Sequence, residues 1–262
     1  MKTLLAGPWL SEFGWEVAVC VPLVRKYSHG FGKTVVVCRT GHDYLYEDFA
    51  DEIINYDKSG LPDRWLLNGK KVNIPSKIIA KYPDATICRP RKGKCGTWQR
   101  EYFMYGQDFE KDVESYKIVF HARAEKKYGQ NHWNYPVPWY SEMLKIINID
   151  PRDCASIGTK SGASHVPETQ DLRGSSLKRT CHVLANSCVC VGSSSGAMHL
   201  AHLCGCKIVV ITGDEWQKSI GGTNKDRYYK IWRAWDTPVK VLGNEHWRSK
   251  PDKVAKAVRK FL

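Results

Sequence analysis

The sequence predicts an α/β protein made of two lobes, each built around a parallel sheet. Short apolar runs typical of buried strands alternate with segments of helical spacing, which is the pattern of βαβ units. The 262 residues are 42% hydrophobic and 26% charged, a balance typical of a packed chain and not of a disordered one. Their number suits two small domains or one large one. No apolar run is long enough for a transmembrane helix, so we expect no integral membrane association.

The first lobe is expected over residues 1–112. Thr3 to Ala6 and Thr34 to Cys38 are the predicted strands, because both are apolar and lead into turn residues. Helical spacing covers Glu16 to Tyr27, and shorter helices are expected at Tyr44 to Phe49 and Lys77 to Lys81. The remainder of the lobe carries no regular pattern.

The second lobe is expected over residues 113–262. Its predicted elements alternate along the chain: strand Ile118–Phe120, helix Trp139–Ile147, strand Ala155–Gly158, helix Ser176–Ala185 with its N-cap at Ser175, strand Cys188–Val191, helix Ala197–Leu203 and strand Lys207–Thr212. The last segment, Pro251–Leu262, is amphipathic, and we expect a helix that can pack back on the first lobe.

Ten cysteines in a chain without an evident signal peptide indicate a reducing compartment, and we expect a cytoplasmic protein with free thiols. A zinc site is the alternative. It would draw on Cys188, Cys190, Cys204, Cys206, His199 and His202. The cysteine pairs are spaced C-x-C, whereas structural zinc sites use C-x₂₋₄-C, so buried thiols are the better interpretation. We expect no metal and no cofactor.

The segment from Val189 to Ala201 carries the clearest functional pattern. A buried strand ends in a loop of glycine and serine, which leads directly into a helix, and Ser194 and Ser195 add hydroxyl donors for a bound phosphate. The N-terminus of a helix offers unpaired N–H groups and a partial positive charge, so this arrangement suits a phosphate group. The alternative is a simple βα turn in which a serine caps the helix.

Ser194 to Ala201, followed by Gly205 and the strand Ile208–Ile211, resembles the donor-site signature of heptosyltransferase-like enzymes of glycosyltransferase family nine. The resemblance implies the GT-B fold, in which two Rossmann-like lobes carry parallel sheets that face a central cleft. It implies that a nucleotide sugar binds mainly to the second lobe, with Ser195, Gly196 and His199 at its diphosphate. Ser194 stands where the family has an acidic residue, which leaves the sugar open.

The family also has a catalytic carboxylate near its N-terminus, in a segment that ends in proline. Here the corresponding segment is Gly14 to Pro22, and Glu16 has the family's offset from Pro22. By this resemblance Glu16 would deprotonate the acceptor hydroxyl, with Glu12 as the reserve candidate. The alternative role for Glu16 is stabilisation of a helix N-terminus.

The segment Phe120 to Arg123 is similar to the family's strand end, where a basic residue neutralises the diphosphate. Arg123 is the first candidate for that role and Lys126 the second, because arginine binds phosphate bidentately. Glu168 is a candidate for contacts with the ribose hydroxyls. No D-x-D motif occurs, so we expect metal-independent glycosyl transfer.

The formal charge of +13 exceeds what one diphosphate requires and predicts an anionic acceptor. Residues 216–262 hold twelve cations against four carboxylates, and Thr86 to Arg100 holds five cations and no carboxylate. Cations next to aromatic rings are typical of nucleic-acid grooves. The candidates for such contacts are Arg89, Arg91, Lys92, Lys94, Trp98 and Arg100.

Three functions remain open. We favour a glycosyltransferase whose acceptor is a hydroxymethylated pyrimidine base in DNA, as in a compact phage enzyme working in the cytoplasm of a bacterial host. The second is a glycosyltransferase that acts on lipopolysaccharide core or another glycan, and a nucleotide-dependent transferase or epimerase of the related GT-B type is a further enzymatic possibility. The third is a non-catalytic basic nucleic-acid-binding protein on a Rossmann-like scaffold.

Overall fold

The computed structural model describes residues 2–9, 12–56, 74–88, 100–108, 114–124, 133–217, 221–243 and 247–262. The chain divides into two compact units, Met1–Phe103 (unit 1) and Met104–Leu262 (unit 2). The boundary predicted after residue 112 falls in the stretch 109–113, which lies outside the described residues.

Unit 1 is built on a four-stranded parallel sheet with the strand order β3-β2-β1-β4. The strands are β1 (Thr3–Ala6), β2 (Lys33–Cys38), β3 (Glu52–Asn55) and β4 (Thr86–Cys88). The helices are α1 (Phe13–Trp15), α2 (Val21–Ser28) and α3 (Ser76–Ile79), with a π-helical turn over Glu16–Cys20 between the first two. The two inner strands, β1 and β2, are the apolar runs that the sequence predicted, because buried parallel strands are apolar on both faces.

The helix predicted over Tyr44–Phe49 is wrong. Only a 3₁₀ turn forms there, over Asp43–Leu45. Tyr44, Leu45 and Tyr46 are consecutive and all buried, whereas an amphipathic helix would bury every third or fourth residue. The segment therefore forms a tight, buried turn within the connection between β2 and β3.

Unit 2 is built on a second, mainly parallel sheet with the strand order β13-β10-β9-β5-β6-β8. The strands are β5 (Ile118–Arg123), β6 (Cys154–Ser156), β7 (Ala163–Ser164), β8 (Gln170–Asp171), β9 (Val189–Ser193), β10 (Lys207–Thr212), β11 (Trp216–Gln217), β12 (Gly222–Thr223) and β13 (Val239–Gly243). β7 pairs antiparallel with β5, and β11 and β12 form a separate antiparallel pair. β9 and β5 lie at the centre, so the serine loop and Arg123 follow adjacent strands.

The helices of unit 2 are α4 (Val137–Ile147), α5 (Leu177–Asn186), α6 (Gly196–Leu203), α7 (Asn224–Asp226) and α8 (Pro251–Val258). Ser176, not Ser175, caps α5, since its side chain accepts a hydrogen bond from the Arg179 N–H. The terminal helix α8 buries Val254 and Val258 in the core of unit 2, together with residues of α4. The expectation that this helix can also pack back on the first lobe stays a prediction.

Three of the cysteines considered for zinc are buried as thiols. Cys190, Cys204 and Cys206 are at most 2% exposed, whereas Cys188 is exposed. Burial raises the pKa of the Cys206 thiol to about 12, so it stays protonated at neutral pH. Among the described residues, no group of three or more His, Cys, Asp or Glu side chains is placed to hold a metal ion. Within the same ranges, no helix is long and apolar enough to cross a membrane.

Candidate active site

The serine loop lies at the carboxyl edge of the unit 2 sheet, which is the edge where open α/β sheets bind ligands. β9 ends at Ser193, Ser195 occupies the N-cap position of α6, and the helix begins at Gly196. The Ser194 N–H donates to the Ile211 carbonyl (2.9 Å), which ties the loop to β10. The N–H groups of Gly196 and Ala197 precede the first intrahelical hydrogen bonds and point out of the helix end. This end of α6 has the geometry of an anion site.

Each serine hydroxyl of the loop has a different partner. The Ser193 Oγ accepts from the Tyr135 N–H (3.0 Å), so this residue is structural. The Ser194 Oγ bonds the Tyr228 hydroxyl (3.1 Å) and is 5% exposed. The Ser195 Oγ bonds Nδ1 of His121 (3.0 Å) and is the only one of the three on a residue that is not buried. Of the two serines predicted at the donor phosphate, Ser195 is thus the accessible one. The buried Ser194 hydroxyl instead connects the loop to Tyr228.

Gly192 brings β9 close to β5, its neighbour in the sheet. A Cβ at this position would lie 2.6 Å from the His121 carbonyl oxygen and 3.0 Å from the Met198 sulfur. Any larger residue would push the serine loop away from β5. The glycine therefore sets the position of Ser195 beside His121.

His121 is buried at the end of β5, and burial together with Arg123 lowers its pKa to about 4. The imidazole is therefore neutral at physiological pH and can exchange a hydrogen bond with Ser195 in either direction. His121 lies within the segment Phe120 to Arg123 that the sequence analysis singled out, but only Arg123 was assigned a role there.

His199, a residue of α6, contacts two aromatic rings. It stacks on Tyr228 with ring centroids 4.4 Å apart and meets Trp232 edge-on at 4.5 Å. Burial lowers its pKa well below the usual value, so it is neutral. Its Nε2 is buried and has no hydrogen-bond partner among the described residues. A ligand atom that reached Nε2 would satisfy a buried polar group that is otherwise unpaired.

Tyr228 and Trp232 were missed by the sequence analysis. They come from the π-helical turn Arg227–Ile231 and the residue after it, where no period of hydrophobic residues marks a buried element. The guanidinium of Arg227 lies over the Trp232 ring at 4.5 Å. This aromatic cluster packs against α6 through the His199 ring.

Arg123 ends β5 at the same edge as Ser195, as the sequence predicted. Its guanidinium lies 5.8 Å from the centre of the Trp133 ring, which holds the cation near the strand end. Lys126 lies outside the described residues.

Glu168 is not brought to this edge. It precedes β8, which is parallel to β6, and it therefore lies at the amino edge of the sheet. Its exposed position and positive φ of 65° mark a turn residue. The two-residue strand β8, which the sequence does not mark, determines this placement, and the contact of Glu168 with ribose stays a prediction.

In unit 1, Glu16 lies at the carboxyl edge of the parallel sheet, in the π-helical turn that follows β1. The side chain is 0% exposed. Its Oε2 accepts from Nδ1 of His42 (2.8 Å), and its Oε1 accepts from the Tyr46 hydroxyl (3.0 Å). Burial and the neighbouring Glu16 raise the pKa of Tyr46 well above its usual value, so Tyr46 remains a donor. Glu12 occupies the N-cap position of α1, and its side chain makes no capping hydrogen bond.

The predicted nucleic-acid contacts fall mostly outside the described residues: Arg89, Arg91, Lys92, Lys94 and Trp98. Arg100 is described and is partly buried. Its Nη1 donates to the Tyr102 hydroxyl (3.3 Å), and that hydroxyl donates to the Ala18 carbonyl (3.2 Å). The Tyr102 hydroxyl is therefore engaged in hydrogen bonds within unit 1 rather than available to a nucleic-acid base.

A second group of cations surrounds a cavity of about 660 Å³ at the carboxyl ends of β10 and β13. Two carboxylates also line it, Asp214 and Asp252. The cations are Lys225, Lys240, Arg248, Lys250 and Lys253. This excess of positive charge at the ligand-binding edge of the sheet favours an anionic ligand.

Comparison with solved structures identifies the fold. Over 100% of this chain and 98% of theirs, ADP-heptose lipopolysaccharide heptosyltransferase II of E. coli superposes with a TM-score of 0.60 at 13% identity. The E. coli heptosyltransferase WaaC with ADP covers the same shares with a TM-score of 0.56, also at 13% identity. A glycosyl transferase family 9 protein from Veillonella parvula covers 99% of this chain and 97% of its own, with a TM-score of 0.62 at 11% identity.

The chain has the fold of these glycosyltransferases. The predicted α/β class is confirmed, with one parallel sheet in each unit. A putative UDP-N-acetylglucosamine 2-epimerase from Listeria monocytogenes shares the fold less closely, with a TM-score of 0.51 at 9% identity over 100% of this chain and 87% of its own. No protein-family profile and no curated protein sequence matches the chain.

Proposed function

We propose that this protein is a metal-independent glycosyltransferase that uses a nucleotide sugar. The observation that carries the proposal is the carboxyl edge of unit 2, where the N-terminus of α6, Ser195 and Arg123 converge beside the buried His199. The fold shared with heptosyltransferases, one of them solved with ADP, supports a nucleotide diphosphate as the ligand.

The chemistry follows from where negative charge develops. When the bond between the sugar and the diphosphate breaks, charge accumulates on the leaving phosphate. Positive charge and N–H groups fixed in advance stabilise it more effectively than water does. Arg123 supplies a cation, and the first N–H groups of α6 supply dipoles. The neutral His199 can hydrogen bond through Nε2 without changing its charge.

For the acceptor we propose an anionic glycan of the lipopolysaccharide type. The cations around the cavity at β10 and β13 suit a phosphorylated or acidic acceptor. Two of the similar structures are heptosyltransferases: one is named as a lipopolysaccharide heptosyltransferase, and the other was solved with ADP. The hydroxymethylated DNA base favoured by the sequence draws its support mainly from residues 89–99, which lie outside the described ranges. Hydroxymethylated DNA is therefore included as an alternative acceptor in the second experiment below.

The first experiment measures donor binding by calorimetry with ADP- and UDP-linked sugars. Arg123→Ala should weaken binding of the preferred donor roughly 10- to 100-fold, because a charge-assisted hydrogen bond contributes about 1.5–3 kcal/mol. Arg152→Ala is the matched control, since Arg152 is 84% exposed, pairs with Asp150 and lies before β6 at the amino edge. Equal donor affinities of the two variants would refute the donor site.

The second experiment identifies the acceptor. The protein is incubated with the preferred donor and with lipopolysaccharide core oligosaccharide, hydroxymethylated DNA or plain DNA, and the products are read by mass spectrometry. A mass increase on the oligosaccharide supports the proposal, whereas one confined to hydroxymethylated DNA replaces the acceptor. DNA binding without turnover of any nucleotide sugar would indicate the non-catalytic alternative.

A further inference from the structure

The buried pair formed by Glu16 and His42 determines which group meets an acceptor in unit 1. Glu16 is 0% exposed, and both of its carboxyl oxygens already accept hydrogen bonds from side chains. An acceptor hydroxyl would have to displace His42 or Tyr46 to reach it. A substrate hydroxyl therefore cannot reach Glu16 to transfer its proton directly.

His42 is the partner of Glu16 that reaches the surface. Its side chain is 17% exposed, and its Nδ1 lies 2.8 Å from Glu16 Oε2. Within the described part of the chain, Nδ1 is the imidazole nitrogen that makes a hydrogen bond, and Nε2 makes none. With the Nδ1 proton donated to Glu16, the lone pair of a neutral imidazole is on Nε2.

The local fold holds this imidazole in place. His42 follows β2 at the carboxyl edge of the unit 1 sheet, and its N–H donates to the Arg39 carbonyl at 3.0 Å. The edge of the Phe13 ring packs against the imidazole, with centroids 5.4 Å apart. A carboxylate on Nδ1, a packed ring and an open Nε2 are the elements that orient histidine bases in enzymes.

We propose that His42 is the general base of the transfer and that Glu16 is the residue that positions it. This inference rests on the proposed function. The acceptor oxygen forms a bond to the anomeric carbon, and the bond between that carbon and the diphosphate oxygen breaks, leaving its electron pair on the nucleoside diphosphate. The hydroxyl proton moves to Nε2, and the resulting imidazolium, paired with Glu16, releases a proton to solvent.

The other titratable groups around the pair lie mainly on its buried side. Tyr46 donates to Glu16, and Cys20 and Cys38 lie close to Tyr46. Asp43 follows His42 in the chain and accepts from the Cys38 thiol (3.7 Å). Burial of Tyr46 raises its pKa, so it is not the group that titrates near neutral pH.

The test uses hydrolysis of the preferred nucleotide sugar, in which water replaces the acceptor hydroxyl, so that the acceptor need not be known. The release of nucleoside diphosphate is followed in the full-length protein. His42→Ala should lower kcat by ~100-fold or more with little change in donor KM, because a positioned base contributes 10²–10⁴-fold. His42→Gln, which keeps a donor for Glu16, should lose as much if the alanine variant proves unstable. Glu16→Gln should lose at least ~10-fold.

Two readouts separate a base from a structural residue. The wild-type rate should fall at acid pH, because a general base acts only in its unprotonated form, and His42→Gln should lack this limb. Added imidazole should restore part of the activity of His42→Ala. The matched control is His29→Ala, because His29 also bonds a glutamate, Glu101 (2.8 Å), but is 60% exposed.

The outcomes distinguish the inference from the proposed function. Hydrolysis by His42→Ala and His42→Gln at the rate of wild type and His29→Ala overturns the role of His42 and leaves the transferase standing. Loss of activity with an unchanged acid limb in His42→Gln, and without rescue by imidazole, also overturns it. A wild-type protein that turns over none of the nucleotide sugars overturns the proposed function and this inference with it.

Discussion

Replacing Gly192 with alanine should destabilise unit 2 and displace the serine loop. The new Cβ would lie 2.6 Å from the His121 carbonyl oxygen, which belongs to a central strand paired on both sides. A backbone atom so placed cannot move aside as a flexible side chain can, so β9 must shift. Overpacking of this kind costs about 1–3 kcal/mol in the free energy of unfolding. For a protein of this size, that lowers Tm by roughly 2 to 12 °C.

The assay is thermal unfolding followed by circular dichroism, together with calorimetry of donor binding. Gly30→Ala is the matched control, because the nearest atom to its Cβ would be the Tyr27 carbonyl oxygen at 3.6 Å, an ordinary contact. We expect this control to change stability by less than about 1 kcal/mol. If Gly192→Ala unfolds at the same temperature as Gly30→Ala and binds donor equally well, the close approach of β9 and β5 does not constrain the site.

Three further predictions concern unit 2. Burial and Arg123 lower the pKa of His121 to about 4. As the pH falls from about 6.5, the His121 imidazole therefore takes up a proton in the unfolded state but not in the folded state. The free energy of unfolding should decline by up to about 3 kcal/mol by pH 4. Urea titrations at several pH values should show a smaller decline in His121→Asn. Tyr228→Phe removes the partner of the Ser194 hydroxyl and should cost about 1–3 kcal/mol in a urea titration, whereas an unchanged midpoint would contradict this bond. Lys225→Glu with Lys240→Glu should weaken binding of an anionic oligosaccharide more at low salt than at high salt, and equal losses at both would exclude an electrostatic role.

The sequence predicted the parts of the fold that are apolar and periodic. β1, β2, β5 and β10 are continuous apolar runs, and their positions follow from burial on both faces. β13 was missed because Lys240 interrupts its apolar residues and only Val241 is buried, as expected of an edge strand. Edge strands carry less hydrophobic signal than inner strands, so they are recovered only when the pairing is seen.

The candidate site divides in the same way. Ser195 was predictable because its loop joins a buried strand to a helix in adjacent sequence. Tyr228 and His42 were not, because each reaches its partner across the fold and no local spacing relates the two. The family resemblance pointed to Glu16 by its offset from Pro22, but the contacts that bury its carboxyl group come from Tyr46 and His42, thirty and twenty-six residues further along the chain.

Both units hold a histidine at the carboxyl edge of a parallel sheet, and its partner determines what it can do. His121 bonds Ser195. Its burial, together with the cation of Arg123, lowers its pKa to about 4, so it does not keep a proton at neutral pH. His42 instead bonds the carboxyl group of Glu16 through Nδ1, at 2.8 Å. Glycosyl transfer releases a proton from the acceptor and leaves negative charge on the diphosphate. In the proposed transfer, the proton is therefore assigned to His42 and the negative charge to Arg123.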